Sequence, residues 1–168
     1  MKYREAYFNC GDYLRETLAD GIDEIISSIA AIPWSEEFEL ATSTKILRHQ
    51  AAYNQALASK LAALGWEQQP LLRPRPRLRG DFRKGLIFVE VQFGNSSTLY
   101  RDYYKFQYGH MHGLLGLAVL IVPHCAREFF PSRPKSVSNM AEFSLAETYL
   151  TVLPIGVPTL LIGLLPEN

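Results

Sequence analysis

The run Leu86-Ile87-Phe88-Val89-Glu90-Val91-Gln92-Phe93 constrains the fold more than any other part of the chain. Apolar, β-branched and aromatic residues bounded by Gly85 and Gly94 read as a buried strand. A carboxylate in the middle of such a strand is costly unless it is paired or holds a cation. A second acid, Asp81, stands nine positions upstream of Glu90, across the short basic segment Arg83-Lys84-Gly85. That segment reads as a hairpin turn, with Gly85 free to take the positive φ it requires. Strand side chains alternate, so Glu90 and Gln92 share one face while Val89 and Val91 point to the other. The facing hairpin strand can bring Asp81 to the side of Glu90.

Two carboxylates and the intervening carbonyl of Val91 are hard oxygen donors at a density that suits Mg²⁺, with water completing the shell. A bound Mg²⁺ would polarise a phosphoryl oxygen and generate a nucleophile from water. The local charge fits a polyanionic partner even though the formal net charge is zero. Residues 1–40 carry nine acids and three bases, whereas Arg73 to Lys84 holds six bases and only Asp81 as an acid. A basic stripe of this kind, rather than total charge, is the footprint of phosphate binding. A solvated linker kept extended by Pro74 and Pro76 is the competing reading of the same stretch.

The remaining pattern predicts an α/β fold with a central mixed β-sheet flanked by helices. Residues 3–9 suit a short edge strand or an extended arm. Leu14, Leu18, Ile22, Ile25, Ile26 and Ile29 recur at helical spacing over 12–32, with Gly21 a weak point and Pro33 a stop. A second helix is expected over 44–64, closed by Gly65. Strands are expected at 78–82 and 86–93, and a helix from Asn95-Ser96-Ser97 to about His112 carries Leu99, Tyr103, Phe106 and His110 on one face. Leu117 to Val122, almost wholly apolar, has the pattern of a central parallel strand. A loop over 124–136, a helix over 137–149 and a strand over 159–164 complete the plan. The 168 residues are expected to form one domain, mainly helical over 1–70, with the catalytic sheet and its helices over 71–168.

Other classes lack their signatures. The longest apolar run, Gly113 to Pro123, is about half of a membrane span, and the first residues lack the apolar core of a signal peptide. Cys10 and Cys125 have no partner thiol at redox or metal-ligand spacing, so a reducing cytoplasm is expected. There is no nucleophile elbow and no phosphate-cradling glycine loop. His110 and His112 stand without further zinc ligands nearby in sequence.

Asp81-Phe82 followed by Val89-Glu90-Val91-Gln92-Phe93 and Gly94-Asn95 resembles the P-D-(D/E)-x-K nuclease superfamily, with Gly80 before the aspartate and Gln92 in the lysine position. More narrowly, the chain is similar to the BglII/BstYI-type restriction endonucleases, in which glutamine takes that unusual place. Weaker likeness extends through Asn54-Gln55, Trp66, Phe130-Pro131, Ser138-Asn139, Val157-Pro158 and Gly163-Leu164. The resemblance implies a type II restriction endonuclease that hydrolyses double-stranded DNA at a short palindrome, with a GATC centre as the candidate. It also implies a two-fold homodimer and a companion DNA methyltransferase.

The resemblance implies that Asp81 and Glu90 are metal-binding catalytic carboxylates, with the Val91 carbonyl as a third ligand and Gln92 beside the attacking water. An amide cannot supply a lysine's charge or titratable proton, so Gln92 is limited to hydrogen bonding. Glu67, Gln68 or Gln69 is expected to complete the site. Arg79, Arg83 and Lys84 are the expected phosphate contacts. Asn95, Ser96, Arg133, Ser136 and Asn139 are the candidate base readers, with Arg133 suited to guanine and Asn95 or Asn139 to adenine. Ordinary helix capping is the competing role for these loop residues. A non-catalytic DNA-binding module, or a less specific repair-type nuclease on the same fold, is the alternative that Gln92 keeps open.

Overall fold

The computed structural model describes residues 1–133 and 135–167. At its centre β9, Leu117–Pro123, lies parallel to both β8, Ile87–Val91, and β10, Thr159–Leu165. Every residue of β9 is buried, as its uninterrupted apolar sequence requires of a strand covered on both faces. β7, Phe82–Lys84, pairs antiparallel with β8, and β4, Glu67–Gln68, extends that side. On the other side β1, Lys2–Phe8, runs antiparallel to β10. The resulting six-stranded sheet has the order β1-β10-β9-β8-β7-β4 and is mixed, as the sequence predicts.

Alternation along the strands divides the apolar residues into two cores. Ile87 and Val89 of β8, with Leu117, Val119 and Ile121 of β9, face α2, Ala19–Ala30, and α3, His49–Ala63. Phe88 of β8, with Ala118, Leu120 and Val122 of β9, faces α4, Leu99–Met111, and α6, Phe143–Val152. Each large apolar side chain sealed in this way contributes about 1.5–3 kcal/mol. Glu90 belongs by alternation to the α4 side of the sheet.

Several boundaries differ from the periodicity. The first helical stretch divides at Leu18 rather than Gly21, into α1, Asp12–Thr17, and α2. The helix expected from Thr44 begins at His49, because β3, Ile46–Arg48, pairs with β2, Glu39–Ala41, and the Arg48–Glu39 ion pair at 2.7 Å reinforces the register. Leu78-Arg79 is not the start of the β7–β8 hairpin. It forms β6, which pairs with β5, Leu71–Arg73, in a separate two-stranded ribbon. His110 is exposed, and Gly109 takes its expected place on the buried face of α4. The last helix starts at Phe143 instead of Val137, and a short α5, Ala126–Phe129, occupies part of the predicted loop. The serines before Phe143 lie in turns tied back to the loop after β8 by a bridge between Met140 and Asn95. Among the described residues, no helix is long and apolar enough to cross a membrane.

Candidate active site

The hairpin β7–β8 brings the two acids together. Phe82 is opposite Val89 and Arg83 opposite Phe88, so the register sets Asp81 beside Glu90. Gly85 turns the chain with φ 55°. The Asp81 amide donates to the Val89 carbonyl at 3.3 Å, and the Val91 amide donates to Asp81 Oδ2 at 2.8 Å. Gly80 is obligatory for a packing reason: a Cβ there would stand 2.1 Å from the Phe88 ring. That close approach lets the chain pass over Phe88 and deliver Asp81 to the strand end.

Asp81, Glu90, Val91 and Gln92 line one cleft of about 210 Å³, together with Gln69 and Lys105. Asp81 and Gln69 also border a larger cleft of about 470 Å³, whose far wall includes Asn54 and Gln55 from α3. Of the three residues expected to complete the site, Gln69 borders both clefts and Gln68 only the larger one. Gln69 holds a left-handed backbone, φ 52°, as Asn9 and His49 also do. Its side chain accepts a 2.8 Å hydrogen bond from Arg79. Glu67 instead pairs with Arg83 at 2.7 Å.

Two residues on α4 that the sequence reading missed complete the arrangement. Lys105 Nζ lies 2.6 Å from Glu90 Oε1 and 2.9 Å from Asp102 Oδ1. Asp102 Oδ2 accepts a 2.7 Å hydrogen bond from Gln92 Nε2, while Gln92 Oε1 accepts one of 2.9 Å from the Gly94 amide. Gln92 is thus held at both ends of its amide. Asp102 and Lys105 are three residues apart on the helix, the spacing of an ordinary surface ion pair, which is why nothing local marks them. The available signal was that Asp102 stands in the same helical stripe as Leu99, Tyr103 and Phe106.

The electrostatics follow from three carboxylates gathered around the Lys105 ammonium, in an open cleft that Arg79 and Arg101 also border. Burial raises the pKa of Glu90 well above its ordinary value, and the neighbouring Asp81 adds to the rise. Burial likewise raises Asp81, against the opposing Val91 hydrogen bond. For Lys105, burial alone would lower the pKa, but Glu90 and Asp102 outweigh it and hold the ammonium. All three shifts favour bound protons, through burial at the two acids and through the facing carboxylates at Lys105.

The adjacent carboxylates Asp81 and Glu90 fit a divalent cation. Glu90 Oε1 is buried and, although ion-paired with Lys105, has no donor in hydrogen-bond geometry. Asp81 offers a second hard oxygen in the same cleft. Among the described residues, no cluster of three or more His, Cys, Asp and Glu side chains forms a protein-only metal cage. Mg²⁺ is commonly bound by one or two carboxylates with water and phosphate, and needs no such cage.

The other predicted contacts divide into two groups. Lys84 Nζ pairs with Glu24 at 2.7 Å and donates to the Leu64 carbonyl, so it and Arg83 already have acidic partners on the outer side of the hairpin. Asn95, Ser96 and Asn139 are brought together: the Ser96 amide donates to the Asn139 carbonyl at 2.8 Å, and Ala141 donates to Gly94 at 2.9 Å. Ser96 and Asn139 line a further cleft of about 600 Å³. Asn95 also caps the turn 96–98 by accepting from the Ser97 amide. Arg133 donates to Gln50, and Ser136 Oγ donates to the Arg133 carbonyl.

A family model described as restriction endonuclease BglII/BglIII matches residues 4–164. The chain belongs to that family. As a member of the BglII/BglIII family it is a type II restriction endonuclease, a site-specific deoxyribonuclease. Its fold is similar to the crystal structure of restriction endonuclease BglII complexed with a DNA 16-mer. The TM-score is 0.79 at 20% identity, over 100% of this chain and 78% of that one. No curated protein matches the chain.

Proposed function

We propose that this family member cleaves double-stranded DNA in a Mg²⁺-dependent reaction at a short palindrome, with GATC as the candidate centre, and that it acts as a single-domain homodimer. The observation that carries the reading is the placement of Asp81 and Glu90 side by side at a cleft, each with its proton affinity raised by burial. Asp81, Glu90 and the Val91 carbonyl would hold the metal, which supplies a polarised phosphoryl oxygen and a water of lowered pKa. Gln92, fixed by Asp102 and Gly94, keeps one amide N–H with which to orient water or phosphate.

Arg79 supports the nearby backbone phosphate. Arg83 and Lys84 add positive potential at the edge of the sheet, and phosphate contact from either would compete with Glu67 and Glu24. Base reading falls to the stitched loops carrying Asn95, Ser96, Arg133, Ser136 and Asn139. A palindromic site requires two equivalent subunits. An enzyme of this specificity in a cell calls for a methyltransferase that protects the same sequence, and for a cytoplasmic location with access to DNA.

The test is digestion of unmethylated DNA from several sources with purified protein and Mg²⁺, followed by sequencing of the ends. Discrete fragments with a common palindromic end support the reading. Uncut DNA sinks it, and a smear replaces it with non-specific cleavage.

A further inference from the structure

Lys105 has a position that its helix does not explain. Its side chain is 4% exposed, on the buried side of α4, where a lysine must be desolvated and two carboxylates must be desolvated with it. Such a buried ion network seldom adds net stability over an apolar replacement of similar volume. Its placement relative to the cleft is more informative. Lys105 lines the cavity shared by Asp81 and Glu90, and also an adjoining one of about 170 Å³ bordered by Arg77, Arg79 and Arg101. The residue at the strand position, Gln92, has both ends of its amide engaged and carries no charge.

We propose that Lys105, reaching in from α4, is a catalytic residue: its ammonium contacts a non-bridging oxygen of the scissile phosphate beside Glu90, and Asp102 is the positioning residue that holds both Lys105 and Gln92. This rests on the nuclease reading above and deepens it. The positive charge that a strand lysine would bring is delivered from a helix, across the sheet end, to the same carboxylate. An ammonium desolvated by burial and preorganised by its carboxylate partners stabilises charge developing on phosphate without reorganisation during the reaction. With phosphate absent, the same ammonium rests on Glu90 and Asp102, where it partly offsets the mutual repulsion of the acids.

The experiment uses the full chain and a defined plasmid that the wild type cuts. Lys105→Met leaves the buried Glu90 and Asp102 without the ammonium they share and can fail to fold, so the deciding variant is Lys105→Met combined with Asp102→Asn, which removes one charge of each sign. Its reference is Asp102→Asn alone, which retains Lys105. Single-turnover cleavage is expected to fall about a hundred-fold from the reference to the double variant. DNA binding in Ca²⁺ should stay within a few-fold, and Lys105→Arg should retain more activity than the double variant.

A second readout needs no turnover: calorimetric titration of DNA-free protein with Mn²⁺. Loss of the competing ammonium should tighten Mn²⁺ binding about ten-fold between reference and double variant. A double variant as active as its reference overturns the catalytic assignment while leaving the nuclease reading intact. Wild-type protein that cuts no DNA overturns both. Unchanged Mn²⁺ binding overturns the placement of Lys105 against the metal carboxylates.

Discussion

Asp81 is fixed by the main chain of the strand that carries its partner: the Val91 amide donates to Asp81 Oδ2 at 2.8 Å, one residue beyond Glu90. One carboxylate oxygen therefore orients the side chain, and the other remains available. Asn at this position keeps an acceptor for Val91 but loses the charge. Asp81→Asn is expected to melt close to the wild type and to bind DNA, while cleavage falls roughly a hundred-fold or more. Parallel thermal melts, gel shifts in Ca²⁺ and cleavage assays in Mg²⁺ check this. Residual activity near the wild-type level would remove Asp81 from the metal site.

The raised pKa values of Asp81 and Glu90 have a defined sign in stability. The folded, metal-free protein holds their protons more tightly than the unfolded chain does. The resulting stabilisation is fully present below the unfolded carboxylate pKa values, about 3.9–4.3, and is lost as pH rises through the folded values. Lys105, raised from a value near 10.5, does not change charge in this window. The melting temperature without metal should therefore decline as pH rises above the ordinary carboxylate range. Mg²⁺ should restore it increasingly at higher pH, because only deprotonated ligands bind. Glu90→Gln should flatten both trends in a pH series of thermal melts.

Gly80→Ala tests the close passage over Phe88. The added Cβ meets ring atoms at 2.1–2.9 Å, and Phe88, itself fully buried and edge-on to Phe106, has little freedom to retreat. Overpacking of this kind costs about 1–3 kcal/mol. The displaced backbone is the one that carries Asp81, so cleavage should fall by more than the loss of stability explains. Activity measured well below the melting transition separates the two effects.

The sequence made the β7–β8 hairpin legible because its constraints are local. Alternation fixed which face Glu90 occupies, Gly85 fixed the turn, and the apolar run 117–122 could only be a central strand. Lys105 and Asp102 were hidden because their significance is tertiary. Three residues apart on a tyrosine-rich helix, they acquire a role only when α4 packs on the Glu90 side of β8. The same reason hid the engagement of Lys84: its partner Glu24 is sixty positions away on α2. The 137–142 segment was misread because serines that resemble helix caps serve there to form turns, held by main-chain bonds to the loop after β8.

The basic stripe offers a last test, since its members differ in what already neutralises them. Arg79 is exposed, borders the carboxylate cleft and has the uncharged Gln69 as its hydrogen-bond partner. Arg83 and Lys84 face Glu67 and Glu24. A phosphate contact releases counterions, and losing one contact lowers the slope of log K against log salt by roughly 0.9. Arg79→Ala should show a drop of that size in DNA titrations across a salt series. Arg83→Ala and Lys84→Ala should change the slope less, because removing either cation frees an acid at the same place. Equal slope changes for all three would mean that DNA displaces the acidic partners and draws the whole stripe onto its backbone.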